Sequence, residues 1–206
     1  MTTTIDAGQI TTPTMRQDGG ISAPVVRRLG LGLSAGAATW GIATVFTGVA
    51  GEQGGSLHAF SSLAFQFGLV MLLAVQVRTR ATGTGRVARA FLVGEHVLLA
   101  GAMLSSLNDA LFPNAHGSLY WHIFDACWPL SMLGMLGIGI RIAIAGRWTG
   151  AARVWPLVAE SWALVVIPVA GAAPAVAGYV SCIHLLLGYG VLGLILARRP
   201  ELTGAR

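Results

Sequence analysis

Acidic and imidazole side chains interrupt the apolar stretches of this sequence, and such groups can perform acid–base chemistry. An ionisable group in hydrocarbon is costly, so it usually faces the interior of a helix bundle and has a partner there. The candidate catalytic residues are acids and histidines within these stretches, namely Asp125, Glu95, Glu160, His122 and His96. The candidate substrate-binding residues are polar or aromatic neighbours, namely Trp128, Trp121, Trp162, Asp109, His184, Gln66 and Ser106.

The spacing of these residues predicts two polar helix faces. One stripe along the third apolar stretch consists of Glu95, Ala102, Ser106 and Asp109. On the fourth stretch His122 and Asp125 are three residues apart and share a face, with Trp128 one turn further along. Small side chains separate the polar ones, as on a face that lines water or a ligand. We therefore expect side chains from helices three to six to surround a shared cavity.

Each of these residues also has an ordinary structural explanation. His122 lies near a predicted lipid–water boundary, where such a side chain can be an anchor. Asp109 could cap a helix or face water, and Asp125 could be a packing partner of its neighbours. Glu95 and Glu160 could extend toward nearby arginines. Acids on three different helices are together better explained by a functional cavity than by these separate roles.

Six apolar stretches must position these residues, each near the ~20 residues that cross a bilayer as a helix. Of the 206 residues, 54% are hydrophobic and only 10% are charged, too few to cover a water-soluble domain. The stretches cover residues 29–50, 58–77, 87–112, 119–140, 155–171 and 175–197. They are continuous, which favours helices over strands. We predict an all-α polytopic membrane bundle of six transmembrane helices in residues 26–199, between a mobile tail of residues 1–25 and a C-terminal tail of residues 200–206.

The basic residues number thirteen, are all arginine, and predict the orientation of the helices. Arginines occupy both terminal tails and the loops near residues 78–89 and 141–153. The alternate loops, residues 51–57, 113–118 and 171–174, contain none. Because arginine-bearing loops remain on the cytoplasmic side, we expect both termini in the cytoplasm.

Several functions are disfavoured by the composition. The arginines form no basic face interleaved with aromatics, so we expect no nucleic-acid partner. The absence of lysine removes Schiff-base chemistry. Cys127 and Cys182 form no CxxC motif, so we expect neither a metal site nor a cofactor. The expected partners are the lipid bilayer and a hydrophobic small molecule, and the GxxxG motif of Gly32 and Gly36 leaves a homodimer open.

Three functions can use such a set of buried groups. The first is an enzyme, because a carboxyl group in a low-dielectric pocket can deliver a proton to an alkene or epoxide while aromatic faces stabilise the carbocation. Asp125 or Glu95 would be the acid and Glu160 or a histidine its counterpart, with Trp128 and Trp121 as the aromatic wall. The second is a proton-coupled transporter or exporter that uses the same acids as a relay. The third is a di-haem electron carrier with histidine axial ligands.

In size and general character the helical region resembles the small integral-membrane terpene cyclases of meroterpenoid pathways, which also combine carboxylates and aromatics in a bundle. The resemblance covers no alignable motif and assigns no residue. It implies a cyclase or isomerase that starts the cyclisation of an isoprenoid- or lipid-like substrate by protonation. Residues 125–132 and 155–162 are also similar to multi-pass proteins of actinobacteria, which implies a bacterial plasma membrane. We therefore expect the enzyme, with the transporter as the alternative.

Overall fold

The computed structural model describes residues 20–49, 51, 55–112 and 118–206, which form helices joined by short loops. Six spans are long and apolar enough to cross a membrane, so the predicted fold class and helix count are confirmed. The spans are Ala23–Thr47, Gly55–Arg78, Arg86–Leu111, Leu119–Ala145, Gly150–Ala172 and Pro174–Arg198. No strand occurs within the described ranges. The protein has the fold of a multi-pass membrane protein.

The first four spans are uninterrupted helices, numbered α1 to α4 with the bounds just given, whereas the last two are broken. The fifth span consists of α5 (Gly150–Glu160) and α6 (Trp162–Ala172), separated at Ser161. The sixth consists of α7 (Pro174–Leu185), a π-helical turn (Leu186–Gly190) and α8 (Val191–Arg198). A π-helical turn inserted in an α-helix is rare and frequent at functional sites.

The C-terminal residues lie against the start of α1. This helix begins at Ala23, inside the predicted tail of residues 1–25, most of which lies outside the described residues. After α8 a 3-10 helix (Pro200–Thr203) follows, and Thr203 is buried. The N–H of Ala23 donates to the carbonyl oxygen of Arg206 at 2.8 Å. The last residues therefore pack against the first span.

The six spans form a closed ring. Each span packs against the next one in the chain, and the sixth packs against α1. Gly32 and Gly36 lie against α2, and a Cβ atom at Gly36 would lie 2.7 Å from the carbonyl oxygen of Ala64. The ring closes at Gly193 of α8, where a Cβ atom would lie 2.4 Å from the carbonyl oxygen of Gly30. The GxxxG motif is thus used for packing within the chain, where small residues let helices approach closely.

Apolar side chains cover both the outer and the inner face of the ring. Phe46, Val87 and Leu119 on the outer face are 68%, 72% and 78% exposed, as suits contact with hydrocarbon. Because both faces are apolar, hydrophobic periodicity does not reveal which side of a helix faces inward. The buried polar residues mark the inner face instead.

Candidate functional site

Glu95 lies on the inner face of α3, against α4, and is only 2% exposed. The hydroxyl of Ser131 donates a hydrogen bond to Glu95 Oε1 at 2.5 Å. Gly134 makes room for the carboxyl group, because a Cβ atom there would lie 2.1 Å from Glu95 Oε2. This second oxygen has no hydrogen-bond partner among the described residues. Helix α4 therefore fixes one carboxyl oxygen and leaves the other free to interact.

Glu160 is the last residue of α5 and is 1% exposed. The hydroxyl of Tyr189, in the π-helical turn, donates a hydrogen bond to Glu160 Oε2. Glu160 Oε1 has no partner in the part of the chain that the structure describes. The break at Ser161 and the π-helical turn therefore coincide with the contact between these two side chains.

The two buried acids belong to one site. Both side chains pack against glycines of α4, since a Cβ atom at Gly134 would lie 2.1 Å from Glu95 Oε2 and one at Gly139 would lie 3.4 Å from Glu160 Cγ. Glu160 does not extend toward Arg153, whose Nε donates to the carbonyl oxygen of Ala143 at 2.8 Å. The acids are therefore held by neutral hydroxyl groups on neighbouring spans.

An aromatic cluster, defined as Trp40, Phe65, Trp128, Trp162 and Tyr189, occupies the centre of the ring. Trp40 stacks on Phe65 with ring centroids 5.1 Å apart, and it lies 5.4 Å from the rings of both Trp128 and Trp162. Phe65 meets Tyr189 edge-on at 5.0 Å. Every span except the third contributes one ring, and the third contributes Glu95. Tyr189 connects this cluster to the acids, because its hydroxyl donates to Glu160.

A pocket of 290 Å³ lies between the fifth and sixth spans, close to the chain segments that carry Glu160 and Tyr189. It is almost wholly apolar and is lined by Val158, Val165, Val180, Ile183, His184, Leu187 and Gly188. His184 Nε2 lies 3.1 Å from the hydroxyl of Ser161, the residue that follows Glu160. Gly188 directly precedes Tyr189. Neither Glu160 nor Tyr189 lines the pocket, which lies beside the chain segments that carry them.

Gln66 and Ser106, two further predicted binding residues, join α2 to α3 inside the ring. Gln66 Nε2 donates to Ser106 Oγ at 2.9 Å, and both side chains are buried. Ala102 is buried on the same face of α3 as Glu95. The predicted stripe on α3 thus faces the ring interior along most of its length.

Asp109, Trp121, His122 and Asp125 lie at the end of the molecule away from the arginine-bearing loops. Trp121 Nε1 donates to Asp109 Oδ1 at 2.7 Å, which joins the end of α3 to the start of α4. His122 is exposed and its ring contacts that of Trp121 at 5.0 Å, while Asp125 is half-buried. Asp109, Trp121 and His122 therefore form a group at this end of the molecule.

His96 follows Glu95 in the sequence but points away from the inner face of α3. It is exposed and lines a large groove on the outside of the ring, which neither Glu95 nor Glu160 lines. Its Nδ1 donates to the carbonyl oxygen of Leu92 at 2.6 Å. The structure therefore separates the two neighbouring candidates.

Sequence reasoning missed several residues of the site: Trp40, Phe65, Ser131, Gly134 and Tyr189. Ser131 stands three residues after Trp128 and so shares its helix face, a signal that could have found it. Tyr189 lies between two glycines, but nothing in the sequence indicates the π-helical turn. Trp40 and Phe65 stand in uniformly apolar stretches, where their orientation cannot be read.

Comparison of the chain with protein-family models, with curated proteins and with solved structures found no match. Fold and site together define a six-span membrane protein with two carboxyl groups and an aromatic cluster inside the helix ring. Within the described ranges no three His, Cys, Asp or Glu side chains are grouped as metal ligands would be.

Proposed function

We propose that this protein is an integral-membrane enzyme that uses Glu160 and Glu95 for acid–base chemistry on a hydrophobic, isoprenoid- or lipid-like substrate. The observation that carries the proposal is the buried Glu160–Tyr189 pair beside the aromatic cluster. Buried acids in membrane spans are costly and usually functional. Glu160, and not Asp125, is the acid in this proposal, because Asp125 is only half-buried.

The hydrogen bonds determine which oxygen of each carboxyl group can act. Glu160 accepts from Tyr189 at Oε2, so the proton of a neutral Glu160 resides on Oε1, the oxygen without a partner. Glu95 accepts from Ser131 at Oε1, so its available oxygen is Oε2. Two neighbouring carboxyl groups in different surroundings commonly divide the roles of acid and base. Glu160 would donate a proton and Glu95 would accept one.

The aromatic cluster supplies the second requirement of this chemistry. Addition of the Glu160 proton to an alkene or epoxide leaves a carbocation, which the faces of Trp40, Trp128 and Trp162 would stabilise. Ring closure moves the charge, and loss of a proton to Glu95 restores a neutral product. A proton is gained and a proton is lost, so the substrate isomerises without another reactant. This is the reaction that the resemblance to integral-membrane terpene cyclases implies.

The apolar pocket beside Gly188 supports access from the bilayer. It lies between the fifth and sixth spans and adjoins Ser161 and the π-helical turn. A hydrophobic substrate dissolved in lipid would reach the site by this side, with the hydroxyl of Ser161 and the ring of His184 at the entrance.

A proton-coupled transporter is the second candidate, and the broken helices favour it. Membrane transporters bind substrates and ions where spans are interrupted. Here both interruptions adjoin the acid pair, at Ser161 and at the π-helical turn. Such a protein would move protons without changing any lipid.

Lipid extracts of cells with and without the protein test the proposal. The enzyme should produce a species with the mass of its substrate but a different chromatographic retention time. Glu160→Gln should remove this species, because the amide cannot donate an acidic proton. Glu201→Gln is the matched control, since Glu201 is an exposed acid outside the spans and its variant should behave as the wild type.

The enzyme and the transporter predict different results for the Glu160→Gln variant. A Glu160→Gln variant that still forms the species would refute the proposed role. If no lipid changes but liposomes with wild-type protein carry protons across an imposed pH gradient, and Glu160→Gln liposomes do not, the transporter is correct. A fluorescent pH dye trapped in the liposomes gives this readout.

We also propose that the protein lies in a bacterial plasma membrane with both termini in the cytoplasm. The support for the orientation is the alternation of arginine-bearing and arginine-free loops, and the support for a bacterial membrane is the similarity of residues 125–132 and 155–162 to multi-pass proteins of actinobacteria. A reporter that fluoresces only in the cytoplasm, fused after Arg206, should be bright. A dark fusion at the same expression level would show that the C-terminus lies on the other side of the membrane.

A further inference from the structure

A groove of 1050 Å³ runs along the outside of the ring between α2, α3 and α4. No member of the aromatic cluster lines it. Its α3 wall extends from Arg89 to Leu104, which at ~1.5 Å per residue is about 22 Å of helix. The groove is therefore a surface distinct from the candidate active site.

One end of the groove is basic and the rest is apolar. The basic end is lined by Arg78 at the end of α2, Arg80 in the loop that follows, and Arg89 in α3, and all three are exposed. Arg78 and Arg80 also border a polar cavity of 430 Å³ together with Arg147, which adds positive charge at this end. No Asp or Glu is among the described residues that line the groove.

Toward the other end the wall is formed by apolar side chains such as Val93, Val97 and Leu104. His96 and Cys127 are the ionisable residues along this part, and each already donates to a main-chain carbonyl oxygen of its own helix. A ligand that fits must therefore be anionic at one end and apolar along most of its length.

The length of the groove matches one leaflet of a bilayer. A bilayer with its headgroups is about 40–45 Å thick, so one leaflet is roughly 20–22 Å. With the arginines at headgroup level, Leu104 lies near the bilayer midplane. Basic pockets between spans on one side of a membrane are known to bind anionic headgroups.

We propose that this groove binds an anionic phospholipid, with the phosphate headgroup on Arg78, Arg80 and Arg89 and an acyl chain along α3. A free phosphate ion would leave the apolar wall unused. A zwitterionic phospholipid would bring a second positive charge to three arginines. The proposal is independent of the enzymatic function and concerns a different face of the molecule.

Native mass spectrometry of the detergent-solubilised full chain tests the proposal, with phosphatidylglycerol and phosphatidylcholine of identical acyl chains as probes. Each basic residue near an anionic headgroup is worth about fivefold in affinity. We expect phosphatidylglycerol to be retained at least tenfold more tightly than phosphatidylcholine. Inorganic phosphate at millimolar concentration should not displace it.

Two variants and one control locate the site. The triple variant Arg78→Gln, Arg80→Gln, Arg89→Gln should lower the affinity for phosphatidylglycerol by roughly a hundredfold, from about fivefold for each arginine. Ala100→Trp should block binding of both lipids by filling the groove, since Ala100 is an exposed lining residue. The control exchanges the same number of arginines outside the groove, namely Arg27, Arg28 and Arg198, for glutamine.

The control variant should retain phosphatidylglycerol as the wild type does. Equal retention of the two lipids by the wild type would overturn the proposal. So would an equal loss in the control and the triple variant, which would show a general effect of net charge. Displacement by inorganic phosphate would show a free-anion site instead. Retained binding in Ala100→Trp would place the lipid elsewhere.

Discussion

Gly134→Ala is the substitution whose effect the structure predicts most sharply. A Cβ atom at this position would lie 2.1 Å from Glu95 Oε2, well inside van der Waals contact. The carboxyl group must therefore move by more than an ångström or α4 must shift away from α3. Either movement stretches the 2.5 Å hydrogen bond from Ser131 to Glu95.

The size of the effect follows from three contributions. Forcing a methyl group into a packed site costs about 1–3 kcal/mol. Loss of the Ser131 hydrogen bond adds about 0.6–1.5 kcal/mol. Replacement of glycine by alanine in a helix stabilises the helix by about 1 kcal/mol, which offsets part of this cost. We expect the free energy of unfolding to fall by roughly 1–3 kcal/mol.

Gly137→Ala is the matched control on the same helix. Its Cβ atom would lie 3.6 Å from Phe91, an ordinary contact, so the variant should be neutral or up to about 1 kcal/mol more stable. The assay is unfolding by sodium dodecyl sulfate in detergent micelles, followed by tryptophan fluorescence. The cost of Gly134→Ala should also disappear in a Glu95→Ala background, because the clashing oxygen is absent. Equal stability of the Gly134→Ala and Gly137→Ala proteins would refute this description of the Glu95 site.

Three further substitutions test other contacts by the same unfolding assay. Tyr189→Phe leaves Glu160 Oε2 without its donor and should cost about 1–3 kcal/mol, and an unchanged midpoint would contradict that contact. Asp109→Leu removes the acceptor for Trp121 and should cost about 0.5–1.5 kcal/mol, whereas Asp109→Asn keeps an acceptor oxygen and should cost less; equal losses would argue against the bond. Gly193→Ala places a Cβ atom 2.4 Å from a carbonyl oxygen of α1 and should destabilise by at least about 1–3 kcal/mol; tolerance would mean that the ring closes more loosely.

The six spans could be predicted from the sequence because an apolar run of the right length has few alternatives in lipid. The residues at which the helices begin and end were harder to predict. α1 begins at Ala23, six residues before its apolar stretch, because the C-terminal residues pack against it and supply a hydrogen bond to its first N–H. That contact joins residues that are far apart in the sequence, Ala23 and Arg206, so it leaves no local signal.

The acids of the site could be predicted, but their partners could not. Glu95 and Glu160 are conspicuous because charge is rare in the spans, and both are buried inside the ring. Tyr189 and Trp40 are chemically unremarkable in an apolar stretch, and their positions depend on how the ring closes. The sequence makes His96 a candidate catalytic residue together with Glu95, but consecutive helix residues point about 100° apart. This angle directs His96 to the outside of the ring while Glu95 faces the inside.

The origin of the proton in the product tests the central claim most directly. Purified protein in lipid–detergent micelles would be given the lipid extract of cells that lack it, in H₂O and in D₂O. If Glu160 supplies the proton, the product formed in D₂O should be heavier by about one mass unit, and Glu160→Gln should form none. A product without deuterium, or one formed equally by the Glu160→Gln protein, would contradict the account.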